Sequence, residues 1–165
     1  MNPRDLSIRP LLPEDNPKVA EVIRSVLVEF GVPEKGTAFE DASLDRMYET
    51  YQIPRAAYWV VADDSHIWGG GGIAPLEGGD PSICELQKMY FSSELRGQGW
   101  GDRLIRKALV RAQDLGFDTC YLETMPYMEA AQHLYWRHGF RYLDQPRGHT
   151  GHTACTVWMQ KEIGQ

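Results

Sequence analysis

Arg96-Gly97-Gln98-Gly99-Trp100-Gly101 lies between an extended apolar run that ends at Phe91 and a helical run that opens near Asp102. Three glycines at alternate positions leave a tight turn with little side-chain bulk. Successive backbone N–H groups can then converge on an anion, reinforced by the positive end of the following helix. Two better-known phosphate patterns are excluded. A P-loop needs a Lys-Ser or Lys-Thr pair after its last glycine, and a dinucleotide fold spaces its glycines differently. On the glycines alone, a sharp strand-to-helix turn with no ligand is the competing reading.

Upstream of this turn, Leu6 to Leu12 reads as a first strand. Asn16-Pro17 supplies a cap and a first-turn proline for a helix carrying Val19, Val22, Ile23, Val26, Leu27 and Phe30 at helical spacing, which Gly31 ends. Ser43 can cap a second helix with Leu44, Met47, Tyr48 and Tyr51 on one stripe, and Pro54 stops it. Tyr58 to Ala62 and Ile67 to Ala74 form a hairpin around Asp63-Asp64-Ser65-His66, and Ile83 to Phe91 is the next strand. The glycines at 69–72 interrupt the hairpin's second strand, and they imply a bulge or a close backbone approach.

Downstream, Leu104, Ile105, Ala108, Leu109, Ala112 and Leu115 define the buried stripe of a helix that stops at Gly116. A strand at Thr119 to Thr124, a helix at Met128 to His138, a brief strand near Arg141 to Leu143 and a last strand from Thr153 to Lys161 follow. Strands interleaved with helices in this order imply an α/β (α+β) architecture, a central mixed sheet with helices on both faces.

Composition bounds the function. A chain of 165 residues, 42% hydrophobic and 24% charged, is expected to form a single domain over 1–165. The formal net charge of −6 opposes nonspecific attraction to nucleic acid or an anionic membrane. No apolar run reaches the roughly 18 residues needed to span a bilayer. Met1-Asn2-Pro3-Arg4-Asp5 lacks the apolar core of a secretory leader, so a cytoplasmic protein is expected. Cys84, Cys120 and Cys155 each fall in an expected strand, without the spacing of a zinc site or a disulfide framework, and read as buried thiols. Neither His149/His152 nor His133/His138 has the spacing of a shared metal face, so no metal is expected.

The stretch Arg96-x-x-Gly99-x-Gly101 resembles the phosphate-binding signature of the GNAT superfamily of N-acetyltransferases. So does the lead-in from Phe91 to Leu95, with Ser93 where proline is common. Ala131-Gln132-His133-Leu134-Tyr135 followed by Gly139-Phe140 resembles a later helix and turn of the same family. The resemblance implies a mixed, mostly antiparallel sheet of six to seven strands flanked by about four helices.

It also implies acetyl-CoA as acyl donor and direct transfer to a primary amine of a small molecule or amino acid. By the same likeness Arg96, Gly97, Gln98, Gly99, Trp100 and Gly101 hold the pyrophosphate, and Met89, Tyr90 and Phe91 lie along the pantetheine arm. The Phe91 N–H meets the thioester carbonyl, Tyr135 protonates the departing sulfur, and Glu85 matches the strand carboxylate that some members use as general base; a strand glutamate paired with Lys88, Arg103 or another cation is the competing reading. Met128 stands where many relatives carry an asparagine that hydrogen-bonds the cofactor arm or the acceptor. Glu123 is a second carboxylate candidate, and Tyr48, His149 and His152 are candidate acceptor contacts, with Phe39 and Tyr51 beside the same region. Two other readings are a non-catalytic acyl-CoA sensor and a protein or peptide amino-group acetyltransferase. An exposed last strand offers a route to a homodimer.

Overall fold

A computed structural model describes residues 5–164; the segment 1–4, read above for the absence of a leader, lies outside the described residues. Seven strands form one sheet: β1 (Ser7–Pro10), β2 (Ala57–Ala62), β3 (Ile67–Pro75), β4 (Ile83–Phe91), β5 (Thr119–Thr124), β6 (Arg141–Leu143) and β7 (Val157–Glu162). They lie in the order β1-β2-β3-β4-β5-β7-β6, with β4 and β5 the parallel pair and the other neighbours antiparallel. The helices are α1 (Asn16–Glu29), the single turn α2 (Met47–Thr50), α3 (Trp100–Asp114) and α4 (Glu129–Arg137).

The apolar stripes of the helices decide which face each one covers. Val19, Ile23 and Leu27 of α1 join Leu44, Met47 and Tyr58 in a core on one face of the sheet. Leu104, Ile105 and Ala108 of α3 join Leu86, Phe117, Cys120 and Phe140 in a core on the other. Burial of these side chains is the main favourable term holding the layers together, at about 25 cal/mol per Å² of apolar surface.

The glycine run of β3 is explained by crowding from both sides. A Cβ on Gly71 would sit 2.7 Å from a Leu104 methyl, and one on Gly72 would sit 2.5 Å from the Ala57 carbonyl oxygen. Gly72→Ala is therefore expected to lower the unfolding free energy by about 1–3 kcal/mol, read as a lower urea midpoint with an unchanged slope.

Two features of β4 prepare the site. Only Ile83, Cys84 and Glu85 pair with β5, so the strands part from Leu86 onward and leave one edge of β4 unpaired by β5. Gly72 pairs with Gln87 and Gly70 with Tyr90, so β4 carries one extra residue in a bulge, where Lys88 takes a left-handed φ of 49°. The bulge re-aims the chain. Gln87 and Lys88, neighbours in sequence, both reach groups on the α1 and α2 side of the sheet, Tyr51 and Asp41 respectively.

Five local expectations are corrected. The last strand, β7, is paired on both sides, by β5 and by β6, so it is not the exposed edge expected to join two subunits. Asn16 does not cap α1, which begins at that residue after a 3-10 turn over Pro13–Asp15. Its side chain instead accepts from the Tyr48 N–H at 2.8 Å and donates to Glu49, tying α2 to α1. The helix expected after Ser43 is a 3-10 segment, Ala42–Arg46, running into α2. Its preceding residue Asp41 has its carboxylate engaged elsewhere, with Lys88 and His152. The last strand begins at Val157 rather than Thr153, because residues 150–156 form a strap whose turn bonds include Cys155 N–H to the His152 carbonyl. Cys155 is consequently a half-buried strap residue, whereas Cys84 and Cys120 are fully buried.

Candidate active site

The turn at residues 96–99 leads directly into α3. Gly97 and Gly99 have φ of 77° and 85°, the left-handed region that glycine enters without penalty. A Cβ at either position would meet nothing within 4 Å, so both face open space. Among the described residues, the N–H groups of residues 97–102 make no well-aligned hydrogen bond to a protein oxygen, the turn at 96–99 being held by bent ones. The first N–H groups of a helix have no intrahelical partner, and here they add to those of the turn as a set of free, oriented donors. Gly101 serves packing as well: a Cβ there would lie 2.8 Å from a Leu134 methyl of α4.

The side chains of this stretch do other work. The Arg96 guanidinium donates to the Phe91 carbonyl at 3.0 and 2.8 Å, binds Glu29 through both terminal nitrogens, and lies over the Phe30 ring. It fastens the turn to the end of β4 and the end of α1. Gln98 donates to the Glu94 carbonyl, and the Trp100 ring is buried in the core, so what each has left for a ligand is main chain.

A cleft of about 800 Å³ runs from this turn between β4 and α4, lined by Met89, Tyr90, Phe91, Gly97, Gly99, Gly101 and, at its inner end, Tyr135. The Ser92 N–H donates to the Trp68 carbonyl at 2.8 Å. By the two-residue alternation of an antiparallel ladder, the Phe91 N–H then points away from β3, into the gap where β5 has departed. Tyr135 is buried against Phe140 with ring centroids 6.0 Å apart, and burial pushes its phenol well above the usual value of 10. It stays protonated throughout the physiological range.

Beyond Tyr135 a second cavity of about 60 Å³ is lined by Glu85, Lys88, Glu123, Met128, His152 and Cys155, and it shares Met89, Tyr90, Met128, Ala131 and Tyr135 with the cleft. The two carboxylates in it are not equivalent. Glu123 accepts from the Tyr121 hydroxyl at 2.6 Å and from the Thr150 hydroxyl on its other oxygen, so both oxygens are engaged. Glu85 accepts from the Gln87 amide at 2.8 Å on one oxygen, and Gln87 is itself held by the Tyr51 hydroxyl at 2.7 Å. Burial, the largest influence, pushes the Glu85 carboxyl up to about 7; the Gln87 bond opposes this and the Glu123 charge adds to it. Such a group exchanges a proton near neutral pH.

The basic side chains here are paired. Lys88 reaches Asp41 at 3.2 Å, and His152 reaches the same carboxylate at 3.1 Å. Asp41 stays below the usual carboxylate range, because those two partners outweigh the cost of burying it. Glu85, Glu123 and His152 each bring one donor atom within 4.8 Å of the others, a proximity that the spacing of the histidines in sequence did not suggest. The cavity is roofed. The Ala154 N–H donates to the Gly36 carbonyl at 2.9 Å, so that residues 150–155 close against residues 36–41.

Of the other candidates, Tyr48 packs with the α1-side core, as does Phe39, and lines neither cavity. His149 lies over Gly78, where a Cβ would come within 2.5 Å of its ring, and its N–H is bonded to the Glu77 carbonyl. Asp41 and Gln87 carry much of the site's polarity and had no signal in the sequence, Asp41 and His152 being 111 positions apart, and Lys88, a candidate partner for Glu85, pairs with Asp41 instead.

The sequence model of the family described as "Acetyltransferase (GNAT) family" matches residues 23–140. The chain is 44% identical to the uncharacterized N-acetyltransferase YjgM of Escherichia coli (strain K12) over 162 residues, covering 98% of this chain and 97% of that protein. It is 28% identical, over 166 residues and 99% of that protein, to an uncharacterized N-acetyltransferase of Schizosaccharomyces pombe (strain 972 / ATCC 24843). Its fold is similar to an acetyltransferase of GNAT family from Staphylococcus aureus Mu50, with a TM-score of 0.85 at 20% identity over 96% of this chain and 99% of that one. It is also similar to yncA of Salmonella typhimurium, a putative acetyltransferase solved with its cofactor acetyl-CoA, with a TM-score of 0.77 at 16% identity over 98% of this chain and 95% of that one. With the glycine turn, the parted strands and the family match all falling on one chain, the protein belongs to the GNAT family of acetyltransferases.

Proposed function

We propose that this acetyltransferase moves an acetyl group from acetyl-CoA directly to the primary amine of a small molecule. The observation that carries the reading is the pairing of a long cleft ending in free main-chain donors with a small roofed cavity holding a carboxyl tuned to about 7. The residues fit the donor. Residues 97–102 offer N–H groups to a diphosphate, and the unpaired edge of β4 offers main-chain groups to an amide-bearing arm. When bound, acetyl-CoA supplies the thioester carbonyl that the amine attacks.

Each step then has a group of this chain. Glu85 accepts a proton from the acceptor's ammonium, whose ordinary value is near ~10, so that a neutral amine is available. The Phe91 N–H gives a fixed dipole where oxygen gains charge, and such a donor costs no reorganisation. Tyr135 supplies a proton to the leaving sulfur. The roof made by residues 150–155 over residues 36–41 favours a compact amine over a protein chain, which needs an open groove for its backbone. Among the described residues no helix is long and apolar enough to cross a membrane, and a cytoplasmic place of action is part of this reading.

The test is release of free thiol on mixing the protein and acetyl-CoA with a panel of small primary amines and, separately, lysine-bearing peptides. Turnover with an amine and none with peptides is expected; turnover confined to peptides would overturn the choice of acceptor. Gly99→Val is expected to weaken acetyl-CoA binding by about 10- to 100-fold, because a β-branched residue is strained in the left-handed region and its side chain enters the cradle. Titration calorimetry with acetyl-CoA checks it.

A further inference from the structure

Acetylation of an ammonium removes two protons from nitrogen. One is made up to the CoA sulfur through Tyr135, and the other must reach solvent. Glu85 is only 5% exposed, with one oxygen on Gln87, so a proton taken there needs a second carrier before the next turnover. The strap places one candidate beside it.

His152 has two differently occupied nitrogens. Nε2 lies 3.1 and 3.2 Å from the two oxygens of Asp41, which fixes the proton on that nitrogen when the ring is neutral. Nδ1, its lone pair then free, lies 4.0 Å from Glu123, and the donor atoms of Glu85, Glu123 and His152 fall within 4.8 Å of one another. A separation of up to 4.8 Å between a His152 ring nitrogen and a Glu85 oxygen is what a single bridging water spans with two ordinary hydrogen bonds. The His152 side chain is 18% exposed, against 5% for that of Glu123, so it reaches from the cavity toward solvent.

We propose that His152, oriented by Asp41, carries the amine's proton from Glu85 to bulk water. This rests on Glu85 being the base and goes beyond it by naming how the base is regenerated. Glu85 releases a proton to the bridging water as that water gives one to Nδ1; the imidazolium then loses it to solvent or buffer, and no bond to the acyl group is involved. The groups that face the ring are Asp41 from the loop before α2, Glu85 and Lys88 from β4, Glu123 from β5 and Cys155 from the strap itself. Burial and Lys88 oppose the protonated ring, and Asp41 and Glu85 favour it and prevail. The carrier therefore works best on the alkaline side of the usual histidine range, where the raised affinity of the ring for a proton has been overcome.

His152 acts through Glu85, so the test must separate relay from architecture. In His152→Gln, kcat at saturating amine is expected to fall about tenfold or more, with acetyl-CoA affinity by calorimetry unchanged. Added imidazole should restore the rate in proportion to its free-base fraction, while the wild-type rate stays indifferent to buffer concentration. Asp41→Asn should lower kcat less and shift the pH profile to lower pH. Wild-type kcat in His152→Gln would overturn the proposal. So would a loss that imidazole fails to restore and that appears as a raised amine KM, the mark of an acceptor contact. Failure of the underlying reading looks different: Glu85→Gln would keep full kcat.

Discussion

Glu85→Gln is expected to lower kcat about 100- to 1,000-fold at pH 7.5, within the range for loss of a general base, while leaving acetyl-CoA affinity unchanged. Glutamine keeps the shape and can still bond Gln87, so the loss isolates the proton-accepting oxygen. The wild-type rate should rise with pH through about 7, where Glu85 gives up its proton, and the variant should lack that limb. A pH profile of kcat/KM for both proteins checks this, and an unchanged limb in the variant would assign the base elsewhere.

The same substitution has a stability consequence of known sign. Burial raises the folded-state value of Glu85 from the ordinary 4.5 to about 7, so the native state retains a proton that the unfolded chain has released. Its contribution is fully present below about 4.5 and is lost as pH rises through about 7. Relative to Glu85→Gln, the wild type should therefore lose stability between those values. Paired urea midpoints at pH 5 and pH 8 read this directly: the variant should gain on the wild type at the higher pH.

Tyr135→Phe is expected to lower kcat about 100-fold, with small effects on acetyl-CoA binding and on folding, because the ring's packing against Phe140 is kept. Burial holds the phenol well above its usual value, so it carries its proton across the working range and contributes no alkaline decline below about pH 10. The variant should accordingly be slower at every pH yet keep the limb assigned to Glu85, the reverse of the Glu85→Gln pattern. Acetyl-CoA and its non-hydrolysable thioether analogue should bind the variant equally well, which separates proton supply from binding. A variant at wild-type rate would leave the sulfur's proton to come from water.

The order of elements was legible because each one repeats a local pattern. The α3 stripe of Leu104, Ile105 and Ala108 recurs at helical spacing, and all three are buried where that spacing places them. Element ends were less legible wherever a distant group set them. Asn16 has the chemistry of a cap but is drawn to Tyr48 and Glu49, and Thr153 begins an alternating run that the contact with Gly36 holds out of the sheet. Tyr48 and Tyr51 share one apolar stripe in sequence, yet only Tyr51 reaches the site, because its hydroxyl meets Gln87 across 36 positions.

By itself the sequence determined the strand and helix order, the glycine turn that leaves main-chain donors at the head of α3, and the family to which those belong. These depend on residue type and spacing over a few positions, which act whatever the rest of the chain does. Tertiary structure alone decided that Glu85 rather than Glu123 is the carboxyl with an oxygen to spare, and that Arg96 clamps the turn to Phe91 and Glu29. It also decided that Asp41, Lys88 and His152 meet around the second cavity. Burial and pairing set how tightly a carboxyl holds its proton, and both are properties of neighbours brought from far along the chain.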